Sequence, residues 1–400
     1  MTKLKLNLQL HDPSLVQPDI SIPLSGSLTA DIKGQSIQTK LDGKIDQSQL
    51  NTTLSVNNFA APQIALTAVI DALNLDRYLP PATAAPAEKS ADTAGKQETA
   101  APVDAPIDLS ALKTLQVNGK ISIGKLQAKN IKLTDLHLPI KLAGGKLELN
   151  GLQARLYQGS VAGDASVNAN DNSFSVRYML SNIQIQPLLK DAINKDFIDG
   201  RGSLKLNLQT QGKTVTQVKN NLDGEIAVNL ADGAIKGFNV AKSLRDFKSK
   251  ISGKSDQEQS ASASEKTDFS ALSASLHFVD GVGSSDDLSI KSPFLRGGGS
   301  GNVNLRNSSL DYVAKVTVVN TSTGQDGADL SQLKDISIPI RISGPFDKLS
   351  YKIQFSQIGS DALKSALKTK AAPILEEKKK ELKEKVNEQL KDKLKGLFGK

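Results

Sequence analysis

Ile131-Lys-Leu-Thr-Asp-Leu-His-Leu-Pro-Ile-Lys-Leu-Ala-Gly-Gly-Lys-Leu-Glu-Leu-Asn-Gly151 is the stretch that decides the fold. Leu136, Leu138, Ile140 and Leu142 recur with a period of two. Gly144-Gly145 then interrupts the run, and Leu147 and Leu149 resume it. That period places every apolar side chain on one face of a strand and the intervening residues on the other. The same pattern recurs at Leu4-Leu6-Leu8-Leu10, Leu204-Leu206-Leu208, Ile226-Val228-Leu230 and Ile336-Ile338-Ile340-Ile342. Asp42, Asn118, Asn150, Asp199, Asp223, Asp232, Asp280 and Asp326 each precede a Gly, a pair that suits tight hairpin turns. About fifteen to twenty strands are expected. They form a mainly β chain whose sheet has one apolar face.

The chain has 400 residues, no Cys, no Trp and 4% aromatic residues. Without Cys there is neither a disulfide framework nor a thiolate metal site, and no cofactor is expected. The net charge is +8, but residues 361–400 carry 12 Lys against 7 acidic residues. The body is therefore close to neutral, and no nucleic-acid partner is expected. No stretch approaches the ~20 apolar residues of a membrane-spanning helix. Phe59 to Leu75 comes nearest and is broken by Pro62, Gln63 and Asp71. Lys3-Leu4-Lys5-Leu6 follows Met1 without the apolar core of a signal peptide. The expectation is that an N-terminal piece of a longer protein is missing.

Along the chain, residues 1–79 read as strands. Residues 80–106 are rich in Ala, Pro, Thr and Glu and are expected to be a disordered linker. Strands resume over 107–358, interrupted by short helical patterns after Pro187 and around Val215, Val218 and Leu222. A longer amphipathic helix is expected on Val240, Leu244, Phe247 and Ile251. A second disordered loop is expected over 252–267. From 361 to 400 the pattern turns helical and basic. Leu382, Val386, Leu390, Leu394 and Phe398 would contact a membrane surface while lysines meet its headgroups.

Catalytic signals are weak. His11, His137 and His277 lie far apart in or beside strands, and no Gly-x-Ser-x-Gly follows a strand into a helix. Gly297-Gly-Gly-Ser-Gly301 runs into another strand, so it reads as a bend or bulge and not as a phosphate cradle. Asn168-Ala-Asn-Asp-Asn-Ser173 lacks the Gly and closing Glu of a calcium loop and reads as a hairpin turn. The chain is expected not to be an enzyme and to hold no metal. An outer-membrane barrel would need aromatic girdles, and 11 Phe and 5 Tyr are scattered. The alternating strands by themselves fit a sandwich whose apolar faces cover each other. They fit equally an open sheet covered by a partner or by lipid.

Several runs resemble the C-terminal region of the AsmA family. They are Gly200-Arg-Gly-Ser-Leu-Lys-Leu-Asn-Leu-Gln-Thr-Gln-Gly212, Leu230-Ala-Asp-Gly-Ala-Ile-Lys-Gly-Phe-Asn-Val-Ala-Lys-Ser-Leu244 and Thr267-Asp-Phe-Ser-Ala-Leu-Ser-Ala-Ser-Leu276. Ser285-Asp-Asp-Leu-Ser-Ile-Lys-Ser-Pro293, Gly344-Pro-Phe-Asp-Lys-Leu-Ser-Tyr351 and Leu73-Asn-Leu-Asp-Arg-Tyr-Leu-Pro80 are similar to further stretches of it. The resemblance implies an elongated, twisted antiparallel sheet curled into an open apolar groove. It implies a periplasmic location, with the full-length protein anchored in the inner membrane. It also implies a role in outer-membrane biogenesis, sheltering phospholipid acyl chains between the two membranes. The alternative is a chaperone that influences insertion of outer-membrane proteins by pairing with their strands. A structural spacer is a third reading. The groove lining is expected to be Leu136, Leu138, Ile140, Leu142, Leu147, Leu149, Ile226, Val228, Leu230, Leu276 and Phe278.

Overall fold

Apolar alternation becomes strand nearly everywhere it occurs. The computed structural model describes residues 2–11, 15–78, 104, 106–237, 239–240, 258–260, 262–293, 295–319, 337–354 and 380. The first strands are β1 (Thr2–His11), β2 (Asp19–Asp31), β3 (Ser36–Ile45), β4 (Ser48–Asn57) and β5 (Gln63–Asn74). The central ones are β6 (Gln116–Ala128), β7 (Ile131–Ala143), β8 (Lys146–Leu156), β9 (Gly159–Asn168), β10 (Ser173–Gln184), β11 (Ile198–Gln211) and β12 (Asp223–Gly237). The last are β13 (Glu258–Ser260), β14 (Ser262–Val279), β15 (Val282–Lys291), β16 (Leu295–Asn304), β17 (Ser309–Val318), β18 (Ser337–Pro345) and β19 (Ser350–Ile353). Among the described residues three short α-helices accompany them, α1 (Ser110–Thr114), α2 (Ile185–Ile193) and α3 (Val215–Asn220), with one 3-10 turn at Leu75–Arg77.

All nineteen strands belong to one sheet. Pairing follows chain order from β1 to β12 and from β14 to β19, with β14 beside β12. The sheet is long and open, and it is not divided into two sandwiches. Every pairing is antiparallel except β5 with β6, which is parallel, so the meander is broken once. Hairpins alternate between two rims. The lower rim carries the turns at 46–47, 129–130 and 157–158; the upper rim carries those at 32–35, 144–145 and 169–172. Near the C-terminal end the sheet curls tightly. β13 pairs with β19 although Ser260 and Ser262, the start of β14, are only two positions apart. Their Cα atoms are then separated by about 7 Å at most. Val318 and Ile338, in this curl, are 0% exposed, as is Ile183 at the end of β10.

Most of the Asn-Gly and Asp-Gly pairs are not hairpin turns. Among those described, only Asp280-Gly281 is one, joining β14 to β15. Asn150-Gly151, Asp199-Gly200 and Asp232-Gly233 fall where the strand register slips, in bulges. Gly43, Gly119 and Gly224 sit inside strands facing the apolar side, where a neighbouring strand comes too close for a Cβ. Two-residue turns with both φ angles positive occur instead at Lys129-Asn130, Gly144-Gly145 and Tyr157-Gln158 as well as at Asp280-Gly281.

Composition misleads at the second loop. Glu258–Ser260 and Ser262–Thr267 are strand, held by backbone ladders to β19 and to β12. At the first linker, Asp104 and Pro106 are described, and Pro106 bridges Thr214. The rest of 79–105 lies outside the described residues. So do Leu244, Phe247 and Ile251 of the expected helix, and Leu382, Val386, Leu390, Leu394 and Phe398 of the tail. Gly297–Gly301 lies within β16, where the register with β15 slips between Gly299 and Gly301, and Asn168–Ser173 forms the β9–β10 turn.

Candidate functional site

Register determines which side chains share a face, because directly opposed residues on neighbouring strands point the same way. On the lower half of the sheet one row runs Leu50–Ile70–Ile123–Leu136. A second runs Ala154–Val161–Leu180–Leu204–Val228–Ala274. On the upper half Ile64, Val117, Leu142, Leu147, Val167 and Phe174 line up in the same manner. At the two ends, Leu8 faces Ile22, and Val316 faces Ile338. The result is one unbroken apolar face from β1 to β18. The opposite face carries residues such as Lys5, Lys40, Thr67, Lys120, Arg177, Lys205, Glu225 and Asp311. Only one face is polar, which is not the even mix that a plain spacer would show.

All the side chains expected to line the groove share the apolar face. Leu136, Leu142, Leu230 and Phe278 are buried. Leu138, Ile140, Leu147, Leu149, Ile226, Val228 and Leu276 remain half-buried. Leu6, Leu8 and Leu10 of β1 are exposed. A single-layer sheet cannot by itself enclose a leucine at 4% exposure, as it does Leu136 and Leu230. Something must lie over the face there. Part of the cover is the curl of the sheet, and part is α2. Ile185 of α2 is buried, and Leu188 and Leu189 pack against Leu156, Leu180 and the other buried residues of the lower half.

Polar bonds fix α2 on the lower rim. Asp191 accepts from Lys132 Nζ at 3.1 Å and from the Tyr157 hydroxyl at 2.9 Å. Tyr157 occupies the left-handed region at φ 44° in the β8–β9 turn. Burial, and then the bond to Asp191, push its phenol up to about 12. Burial pulls the Asp191 carboxyl upward, but the bonds from Lys132 and Tyr157 outweigh it and hold the group below the usual carboxylate range. A similar arrangement closes the β5 end of the rim, where Tyr78 donates to Asp46 and Arg77 pairs with the same carboxylate at 2.9 Å. Burial and Asp46 push Tyr78 up to about 12. Asp76 collects the backbone N–H groups of Lys129 and Asn130, tying the β6–β7 turn to the end of β5.

The histidines are not brought together. His11 pairs with Asp19 at 2.7 Å, His137 lies 3.3 Å from Ser122 Oγ, and His277 faces Glu225, on three strands that are not neighbours. Among the described residues there is no cluster with metal-ligand chemistry. Among them, too, no helix is long and apolar enough to cross a membrane.

Sequence periodicity marked the apolar face through Leu and Ile and passed over Gly163, Ala165, Gly202, Gly297 and Gly299, which face the same way. Small residues carry no apolar signal, yet they let neighbouring strands approach. Nor did it find the polar anchors of α2, because Lys132, Tyr157 and Asp191 come from three separate elements.

Fold and face define a class: an elongated open β-sheet with one apolar side. Residues 1–288 match the AsmA family, and the chain belongs to it. It is 24% identical over 323 residues, 78% of its length, to Protein AsmA of Escherichia coli (strain K12). It spans about half of that relative, 52%. No solved structure matches. Membership of the family suggests a part in envelope biogenesis.

Proposed function

We propose that the chain is a non-enzymatic carrier surface for phospholipid in the periplasm, sheltering acyl chains on their way between inner and outer membrane. The carrying observation is the continuity of the apolar face across strands from β1 to β18, with many of its side chains still half-open. Each methylene taken out of water gains ~0.8 kcal/mol, so an acyl chain laid along such a face is held without any specific recognition group. Headgroups stay in water at the open side. Among the described residues no polar cluster converges on this face, which fits a ligand recognised by its apolar tail alone.

The test is extraction of lipid from the purified protein, identified by mass spectrometry, together with uptake of fluorescent phospholipid from vesicles. Bound phospholipid, competed by added phospholipid, is the expected result. A lipid-free protein that stably traps unfolded outer-membrane barrel proteins would favour the strand-pairing chaperone instead.

A further inference from the structure

Helix α2 covers the lower rim of the groove, and the upper rim over the same strands has a cover of another kind. β5 ends at the lower rim while β6, its parallel neighbour, starts at the upper rim. The chain must therefore return across the sheet. Ahead of β6 it is fixed at the end of β11: the Thr216 N–H donates to Asp104 at 3.3 Å, Pro106 bridges Thr214, and the Ile107 N–H donates to the Lys213 carbonyl at 2.7 Å. From there it passes through α1, which lies against β7 and β8, and enters β6 at Gln116. The interval from β11 back to β6 is about 24 Å at 4.8 Å per strand.

This segment lies over the apolar side. Ile107, Leu109 and Leu112 are half-buried while Asp108, Ser110, Ala111 and Lys113 are exposed. Leu142, at the upper end of the apolar face, is 5% exposed, whereas its neighbours Lys141 and Ala143 on the polar face are exposed. The two covers are held unequally. α2 has a buried Ile185, two half-buried leucines packed against the core and the Asp191 anchors. α1 has no buried residue and no side-chain cap at Leu109. Segments with few buried contacts open at low free energy.

We infer that Pro106–Leu115 is a strap that lifts from the upper rim to admit an acyl chain into the groove between β6 and β11, then closes over it. α2 is the fixed wall opposite. The proposal rests on the lipid-sheltering reading for its ligand, whereas the opening itself has a separate readout.

The chain has no Cys, so one disulfide can be added without interference. Antiparallel partners stand about 4.5–5.5 Å apart at Cα, inside the range a disulfide spans. Pro106→Cys combined with Thr214→Cys would therefore lock the strap reversibly. Uptake of fluorescent phospholipid from vesicles is measured for the parent, the oxidised variant and the reduced variant. The parent and the reduced variant should load alike, and the oxidised form at least tenfold more slowly, with dithiothreitol restoring the rate. Equal loading by oxidised and reduced forms would overturn the strap. Hydrogen exchange of the lipid-free parent reads opening without lipid. The Ile107 amide should exchange at least a hundredfold faster than that of Ile123, and equal protection would likewise overturn the strap. A parent that takes up no phospholipid while Ile107 exchanges fast would remove the lipid reading and leave the moving strap standing.

Discussion

At Gly202 a Cβ would stand 1.8 Å from the Asn229 carbonyl oxygen, and at Gly26 one would stand 1.9 Å from that of Lys40. These glycines face the apolar side, and the missing side chain is what lets adjacent strands crowd together there. Gly202→Ala should lower stability by about 1–3 kcal/mol through overpacking, read as a fall in unfolding midpoint. Gly298→Ala is the control. It lies on the other face with its nearest neighbour at 3.4 Å, and should stay within about 0.5 kcal/mol of the parent. A second residue-scale prediction concerns Val228, half-buried between Leu204 and Ala274. Val228→Asp places an unpaired carboxylate on the apolar path, and phospholipid uptake should fall at least tenfold. Asn229→Asp, one position along on the polar face, should leave uptake unchanged. Matching losses in the two variants would mean that the face plays no part.

At the scale of elements, α2 is held by two titrating groups with opposite shifts. Asp191 is depressed below the usual 3.8, so its contribution is present above that value and lost as pH falls through the folded-state value. Tyr157 is raised from 10.0 to about 12, so its contribution is present below 10 and lost as pH rises from 10 to 12. The chain has no Trp, so Ile193→Trp at the exposed end of α2 supplies a single fluorophore. Its emission should hold a plateau across neutral pH and shift at both extremes. Adding Asp191→Asn should remove the acid limb and lower the unfolding midpoint. An unchanged acid limb would show that α2 is held by its leucines alone. The apolar spacing of Leu188, Leu189 and Val218 showed α2 and α3 in the sequence, whereas five-residue α1 has too few positions to show a period.

The whole molecule is close to one-dimensional, because each strand packs mainly on its two neighbours. Burial is uneven along it. Leu6, Leu8 and Leu10 in β1 are exposed to about half, while Val318 and Ile338 in the C-terminal curl are fully enclosed. Unfolding in urea should therefore depart from a single two-state transition. Hydrogen exchange followed by mass spectrometry should show β1–β4 losing protection first and β14–β19 last. Loss of all strands at one urea concentration would instead mean that the curl and the covers couple the sheet into one cooperative unit.

Which residues share a face is legible from the chain's alternation. Alternation is a property of successive Cβ directions within a strand, so Leu136, Ile226 and Phe278 are legible without any neighbour. It also determined that strands would greatly outnumber helices. The rest follows only from contacts between distant parts of the chain. The parallel pairing of β5 with β6, the meeting of β13 with β19 and the anchoring of Pro106 beside Thr214 join positions far apart in the chain, where no local period exists. The glycines show the division most plainly. In the sequence Asp42-Gly43, Asn118-Gly119 and Asp223-Gly224 are turn signals, because small residues with free φ suit turns. In the fold each lies inside a strand, because a neighbouring strand lies where its Cβ would be.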